Sequence, residues 1–210
     1  MAADDDVDTI VMDVNSPGGM VTELAETARL VADTTKAKTV VAVAAPYALS
    51  AAYWLASQAG RLVVAESGQV GSIGGYLIHE DISQMLENEG VNVTVIRSTP
   101  RKAEGMAVEP LTDEALEYFE GLVRRDHESF VHAVAIGRRV SVKIAGGEPF
   151  GAGRSVQGAD AVSAGMADEV GDLESVVAGL VTGGGDRSGT RGGSRRRAHD
   201  RGRARLALAL

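Results

Sequence analysis

The chain has 210 residues, 44% of them hydrophobic and 24% charged, which is enough for one domain with a substantial core. It contains no cysteine, and this excludes disulfides, zinc–thiolate sites and cysteine nucleophiles. No apolar run reaches the roughly 18 residues that a membrane span needs, and the acidic start "MAADDDVD" does not resemble a signal peptide. We therefore predict no membrane span and expect a cytoplasmic protein.

The net charge of −8 is unevenly distributed along the chain. Residues 181–210 carry eight Arg and two Asp, a charge of about +6, so the remainder carries about −14. An acidic body argues against nucleic acid as a required partner. The Gly/Arg-rich segment 183–210 has no periodicity, so we predict a disordered tail that is either solvated or a binding arm.

Strand and helix patterns alternate over residues 1–182, which we predict to form a single domain. Strands are expected in "DTIVMDV", in "KTVVAVAA" up to a break at Pro46, in "RLVVAE" and in "VNVTVIRS". Helices are expected in "MVTELAETARLVADTT", in "LSAAYWLASQAG" up to Gly60, in "EDISQMLENEG" and over 111–139. The last part predicts a helix stopped at Gly165, a short strand and a final helix. This order indicates an α/β fold with a mainly parallel sheet.

Two serines stand seven residues apart in "PYALSAAYWLASQAG", a spacing that puts Ser50 and Ser57 on one helix face. Ser50 lies between a strand and the start of a helix. Its hydroxyl either caps that helix or is a nucleophile at the positive end of the helix dipole. In the second case the N–H of Ala51 points at the charge that develops during attack. Local sequence leaves both serines open as packing or capping residues.

A serine nucleophile needs a base, and histidine and lysine are the available types. Of the four histidines, His127 and His132 fall on the long helix and His199 in the tail, which leaves His79. Of the four lysines, Lys102 follows a predicted strand, and a lysine base requires desolvation to be neutral. Ser72 in "VGSIGG" is the hydroxyl that we consider for holding the lysine amine. From these residues alone, His79 and Lys102 are both candidate bases. An ordinary surface position is the alternative for Lys102.

The stretch "NSPGG" follows the first strand and has the composition of a sharp turn. Free N–H groups in such a turn can bind an oxyanion, and an ordinary strand-to-helix turn is the alternative. No cofactor or metal motif is predicted.

The order of four stretches resembles one family. "DVNSPGGMV", "ALSAAYWLAS", "VGSIGGYL" and "RKAEG" follow one another with 22 residues from Ser50 to Ser72 and 52 from Ser50 to Lys102. This combination is similar to peptidase family S49, which includes signal peptide peptidase A and phage capsid-assembly proteases. The resemblance covers about residues 8–180 and includes the closing segment "GRSVQGADAVSAGMADEVG".

The resemblance implies a Clp protease/crotonase-like fold and a serine–lysine dyad that hydrolyses peptide bonds through an acyl-enzyme. It implies these roles: Ser50 as nucleophile, Lys102 as general base, Ser72 as the holder of Lys102, and Gly18 or Gly19 with Ala51 as the oxyanion hole. The same set of motifs leaves Ser57 as a small helix-packing residue. It further implies a homo-oligomer, with the active site near subunit contacts, and a peptide or protein substrate. Because no membrane anchor is predicted, the chain resembles the phage branch of the family more than the signal peptide peptidases. The phage branch cleaves capsid and scaffold proteins in the prohead, whereas signal peptide peptidases remove signal peptide remnants.

Departures from the family pattern define the competing interpretations. Family members usually have a further strand and helix before "NSPGG", so we expect either a misassigned start or an N-terminally truncated copy, which would have an exposed sheet edge. The Arg-rich tail has no counterpart in the family. An inactive relative that acts as an assembly or scaffold protein is therefore one alternative. A crotonase-type acyl-CoA enzyme is a second, although no catalytic carboxylate near the glycine turn supports it.

Overall fold

The computed structural model describes residues 3–182 and 206–209, so most of the predicted tail lies outside the described residues. The strands in this part of the chain are β1 Thr9–Ser16, β2 Thr39–Leu49, β3 Arg61–Val64, β4 Gln69–Gly71, β5 Ser155–Gln157, β6 Glu169–Val170 and β7 Leu206–Ala209. The helices are α1 Leu24–Ala37, α2 Ala51–Ala56, α3 Ser83–Asn88, α4 Asp113–Arg138, α5 Val142–Ala145, α6 Gly158–Ser163 and α7 Leu173–Val181, with a 3-10 helix at Glu148–Phe150.

The chain divides into two compact units. The first contains the described residues up to Gly74 and from Ser129 onward, and the second is Gly75–Glu128. The first unit holds the whole sheet, in the order β5-β4-β2-β1-β7, with β3 beside β2 and β6 beside β3. The β4–β5 pair is antiparallel, and the remaining pairs of this sheet are parallel. The predicted α/β class with a mainly parallel sheet is confirmed.

Strand β2 is buried on both faces over Val40–Ala44, the Val/Ala part of the strand, as is typical of the centre of a parallel sheet. Its alternate side chains serve two clusters. Ala42 and Ala44 belong to a cluster with Tyr53 and Trp54 of α2. Val41 and Val43 face the opposite side, in a cluster with Val11, Val63 and Val176. Two buried faces fix the position of the strand end from which Ser50 follows.

The predicted break at Pro46 is wrong, because β2 continues through it to Leu49. Before the proline, Val41–Ala44 pairs with β3, and after it Tyr47–Leu49 pairs with β4. On the other side, the register with β1 shifts between Ala44 and Ala48. Pro46 thus lies where β2 changes partner on one side and bulges on the other. Its missing N–H removes no ladder hydrogen bond there.

Two further predictions need correction. The alternating segment 91–98 is not a strand, and Val91, Val93 and Ile96 are exposed. Alternation favours a strand only when a neighbour completes its ladder, and no described strand pairs with this segment.

Helix α2 ends at Ala56 rather than at Gly60, because the following N–H groups of Gln58 and Ala59 bond three residues back and form turns.

The C-terminal helices follow their local sequence signals. Gly165 ends α6 in a left-handed conformation at φ 84°, as predicted, and the N–H of Met166 bonds back to the carbonyl of Ala161 at 2.8 Å. Helix α7 begins with a capping box between Asp172 and Ser175. Within the described residues, no helix is both long and apolar enough to cross a membrane.

The expected free edge beside β1 is covered in part. Strand β7 pairs in parallel with Thr9–Met12, so the expectation of an exposed edge is wrong at these four positions. Beyond Met12, no described strand pairs with the outer edge of β1. The covered part of the edge ends where the candidate site begins.

A charged clamp joins the end of α4 to the loop before β6. Arg138 donates to both carboxylate oxygens of Asp168, at 2.8 and 3.1 Å, and to the carbonyl of Gly165 at 3.1 Å. The N–H of Leu62 donates to the same carboxylate at 2.6 Å. Burial disfavours the charge of Asp168, but these hydrogen bonds outweigh that effect and lower the pKa of the carboxyl.

We expect Asp168→Ala to lower the free energy of unfolding at neutral pH by about 2 kcal/mol, because it leaves the largely buried guanidinium of Arg138 without its carboxylate partner. A group with a lowered folded pKa stabilises the fold above its ordinary pKa, and this contribution is lost as pH falls through the lowered value. The difference from wild type should therefore shrink below about pH 4. Urea unfolding at pH 7 and pH 3 measures it, with Glu169→Ala as control, because the arginine partner of Glu169, Arg61, is more exposed than Arg138. An equal difference at both pH values would contradict a role for the charge.

Candidate active site

Ser50 occupies the junction between β2 and α2 with φ 50° and ψ −124°, a conformation that L-residues rarely adopt. Its N–H donates to the carbonyl of Gly71 at 2.8 Å, and its carbonyl accepts from the N–H of Trp54 at 3.0 Å. The side chain makes no capping hydrogen bond to α2. The helix-capping alternative is therefore wrong. The backbone is held in a strained strand-to-helix turn while the fold makes no use of the half-buried hydroxyl.

Ser72 lies next to this turn because β4 pairs with the end of β2. Leu49 is in register with Gly71, and the hydrogen bond from Ser50 to Gly71 extends that pairing by one step. Ser72 follows at φ 54°, with its N–H bonded to the carbonyl of Arg154 at 3.0 Å. Two serines with positive φ thus stand at the carboxyl ends of adjacent parallel strands. In the sequence, only the order of the motifs pointed to this shared edge.

The glycine turn after β1 packs directly against Ser50. Gly18 has φ 114°, and a Cβ built on it would lie 2.7 Å from the Cβ of Ser50 and 3.3 Å from the nitrogen of Ala51. Any side chain at this position would therefore collide with the residue that precedes α2. This contact is the reason for a glycine at position 18.

The sequence left open whether Gly18 or Gly19 belongs to the oxyanion hole, and their hydrogen bonds distinguish the two residues. The N–H of Gly18 donates to the hydroxyl of Ser16 at 3.2 Å. Among the described residues, the N–H groups of Gly19 and Ala51 have no hydrogen-bond partner. Gly19 and Ala51 are thus the free donors next to Ser50, and Gly18 supplies the close approach.

A groove of about 630 Å³ opens at this point. It is lined by residues of β1, of the glycine turn and of the first helical turn after Ser50: Met12–Ser16, Gly18, Gly19, Ala51, Ala52 and Leu55. Both free N–H groups belong to its lining. The small side chains of Ala51 and Ala52 leave room for an incoming group at the head of α2.

Lys102 belongs to the second unit, in a turn over 100–105. Its N–H donates to the carbonyl of Thr99 at 3.1 Å, its carbonyl accepts from Arg97 Nε at 2.8 Å, and its side chain is exposed. Arg97 also pairs with Glu109. His79 lies in the same unit, with its Nε2 3.3 Å from the carbonyl oxygen of Met106. The pairing of Lys102 with Ser50 stays a prediction.

Ser57 is fully buried at the end of α2. Its hydroxyl donates to the carbonyl of Trp54 at 2.8 Å and accepts from the Gln58 amide at 2.9 Å. Its carbonyl is so close to Gly137 of α4 that a Cβ on the glycine would lie 2.2 Å away. The prediction that Ser57 is a packing residue is confirmed. Its buried, hydrogen-bonded hydroxyl distinguishes it from Ser50, whose hydroxyl makes no capping hydrogen bond.

Sequence reasoning missed two residues that shape these segments. Ser16 binds the glycine turn, and Arg97 binds the turn that carries Lys102. A signal existed for Ser16, since a serine two residues before a glycine favours a side-chain turn. No local pattern marks Arg97.

The fold and this site define an α/β protein with a serine and free backbone N–H groups at the end of a central strand. A solved structure titled 1510-N membrane-bound stomatin-specific protease has the same fold, with a TM-score of 0.52 at 16% identity over 83% of this chain and 70% of that one. The chain therefore shares the α/β fold of this protease.

The profile of peptidase family S49 matches residues 32–183, and the chain belongs to that family. A protein of Methanocaldococcus jannaschii named as a protease is 33% identical over 178 residues, which are 83% of this chain and 55% of that protein. Capsid assembly protease C of Escherichia phage lambda is 31% identical over 169 residues, which are 80% of this chain and 38% of the phage protein. The chain thus spans about half the length, or less, of these curated relatives.

Proposed function

We propose that the chain is a serine endopeptidase that hydrolyses peptide bonds through an acyl-enzyme on Ser50. The observation that carries this proposal is the strained backbone of Ser50, whose hydroxyl caps no helix and whose neighbours Gly19 and Ala51 present free N–H groups. A strained strand-to-helix turn exposes a nucleophile, and two fixed donors stabilise an oxyanion. Membership of peptidase family S49 supports the same reaction class.

In the proposed mechanism, the amine of Lys102 takes the proton of the Ser50 hydroxyl as Oγ attacks the substrate carbonyl carbon. The Lys102 side chain is exposed in the single chain, so this step requires that bound substrate or a second subunit shields it from water. The resulting oxyanion accepts hydrogen bonds from the N–H groups of Gly19 and Ala51. The C–N bond then breaks, and the leaving amine receives the proton from Lys102. Water hydrolyses the ester by the reverse exchange, giving a carboxylic acid and free Ser50. Ser72 holds the Lys102 amine in line during both steps.

We further propose that the substrate is a capsid or scaffold protein and that the enzyme works as a homo-oligomer. The 31% identity to capsid assembly protease C of phage lambda over 80% of this chain supports the substrate class. A role like that of the signal peptide peptidases is the second candidate. The groove beside Ser50 is bordered by the β1 edge beyond Met12, which offers main-chain groups to an extended peptide.

Hydrolysis of an unfolded protein, followed by mass spectrometry of the fragments, tests the proposal. We expect cleavage by the wild-type protein in the oligomeric fraction of a size-exclusion column. The rival, an inactive assembly relative, predicts a folded oligomer with no fragments. The crotonase-type rival predicts binding of an acyl-CoA, which can be measured by calorimetry on the same sample. Fragments whose ends differ from those made by any contaminating host protease would identify this chain as their source.

A further inference from the structure

The hydroxyl of Ser16 binds both polar backbone groups of Gly18. Ser16 is the last residue of β1 and is in register with Ala48, two residues before Ser50. Its Oγ accepts from the N–H of Gly18 at 3.2 Å and donates to the carbonyl oxygen of Gly18 at 3.5 Å. A serine hydroxyl can accept and donate at once, so one side chain closes a turn around Pro17.

This turn constrains a glycine that is in close contact with the serine of the site. Gly18 stands at φ 114°, and its α-carbon approaches the Cβ of Ser50 so closely that no side chain fits between them. Two successive glycines have wide conformational freedom unless something holds them. The hydroxyl of Ser16 is the side-chain group that holds the first of them, and the next N–H, that of Gly19, has no hydrogen-bond partner among the described residues.

We propose that Ser16 is a positioning residue for peptide hydrolysis, acting through the Gly18–Gly19 peptide. This inference rests on the proposed function of Ser50. The hydroxyl orients the peptide so that the N–H of Gly19, together with that of Ala51, meets the oxyanion of the tetrahedral intermediate. Because the oxyanion forms only after attack, the orientation stabilises the transition state more than the bound substrate.

The test compares Ser16→Ala with Ser16→Thr and with Ser163→Ala. We expect Ser16→Ala to lower kcat by about 10- to 100-fold, as a misplaced donor does, and to leave KM nearly unchanged. Affinity for a peptide boronic acid, which forms a tetrahedral adduct on a serine, should fall by the same factor as kcat. Ser16→Thr keeps the hydroxyl and should restore both values. Ser163, whose hydroxyl donates to the carbonyl of Ala159 at 2.9 Å in α6, is a matched control outside the groove.

Three results would overturn the inference. In the first, Ser16→Ala keeps the wild-type kcat. In the second, kcat and KM change together and boronic acid affinity does not follow kcat. In the third, Ser16→Thr fails to restore the rate while its melting temperature equals that of wild type. A wild-type protein whose Ser50 forms no adduct with the boronic acid would overturn the proposed function as well, so the two failures are distinguishable.

Discussion

Replacement of Ser50 by alanine is expected to abolish peptide hydrolysis, with a loss in kcat of about 10⁴-fold or more. The hydroxyl forms the acyl-enzyme in the proposed mechanism, and no other group on this turn can replace it. That hydroxyl caps no helix and has no hydrogen-bond partner among the described residues. Stability should therefore change by less than about 1 kcal/mol, as for substitutions that remove no buried contact. Fluorogenic peptide turnover and thermal melting measure the two quantities.

Ser57→Ala is the matched control, because it removes a serine hydroxyl from the same helical segment. Ser57 is buried and hydrogen-bonded to Trp54 and Gln58, so its loss should lower stability by about 1 kcal/mol. Its kcat should stay near that of wild type. If the reverse pattern were found, with turnover surviving in Ser50→Ala and lost in a folded Ser57→Ala, Ser50 would not be the nucleophile.

Lys102→Ala is expected to lower kcat by about 10³-fold, the scale on which a positioned base contributes. The exposed turn that carries the residue should keep its backbone, since its hydrogen bonds come from main-chain groups of Lys102 and from Arg97. Circular dichroism and melting temperature check this. His79→Ala, in the same unit, is the control and should keep its activity. Loss in His79→Ala with activity retained in Lys102→Ala would identify the histidine as the base.

Mixing the two inactive variants shows whether Lys102 serves the serine of its own chain or that of a second copy. If the active site is shared between subunits, combining Ser50→Ala with Lys102→Ala should restore part of the wild-type rate, because some contacts then unite an intact serine with an intact lysine. If each chain uses its own pair, the mixture should stay inactive. Refolding the variants together ensures that subunits exchange.

The parts of the fold that were predictable from the sequence are those with a strong local signal. The β-branched run at the start of β2 indicated a strand of a parallel sheet, and Gly165 marked the end of α6. The path of β2 past Pro46 could not be predicted, because it depends on where β1, β3 and β4 meet that strand. Segment 91–98 shows the opposite error, because the sequence predicted a strand that the structure does not have. Its alternation is real, but no described strand completes its ladder.

The candidate site also has features that local sequence predicted and features that it did not. The position of Ser50 between a strand and a helix was readable from local composition. The separation of Gly18 from Gly19 was not, because it rests on a hydrogen bond to Ser16 and on contact with a residue more than thirty positions away. A single sequence also leaves open whether a serine caps its helix, since both roles favour the same residue type at the same place.

The most direct test of the central claim is covalent labelling of the wild-type protein with a fluorophosphonate, followed by peptide mapping. The reagent forms a phosphonyl ester with an activated serine, so the label reports nucleophilicity without requiring the natural substrate. We predict one adduct, on Ser50, that is absent from Ser50→Ala and retained in Ser57→Ala. A folded wild-type protein that carries no label on Ser50, or that carries its label on another serine, would contradict the account.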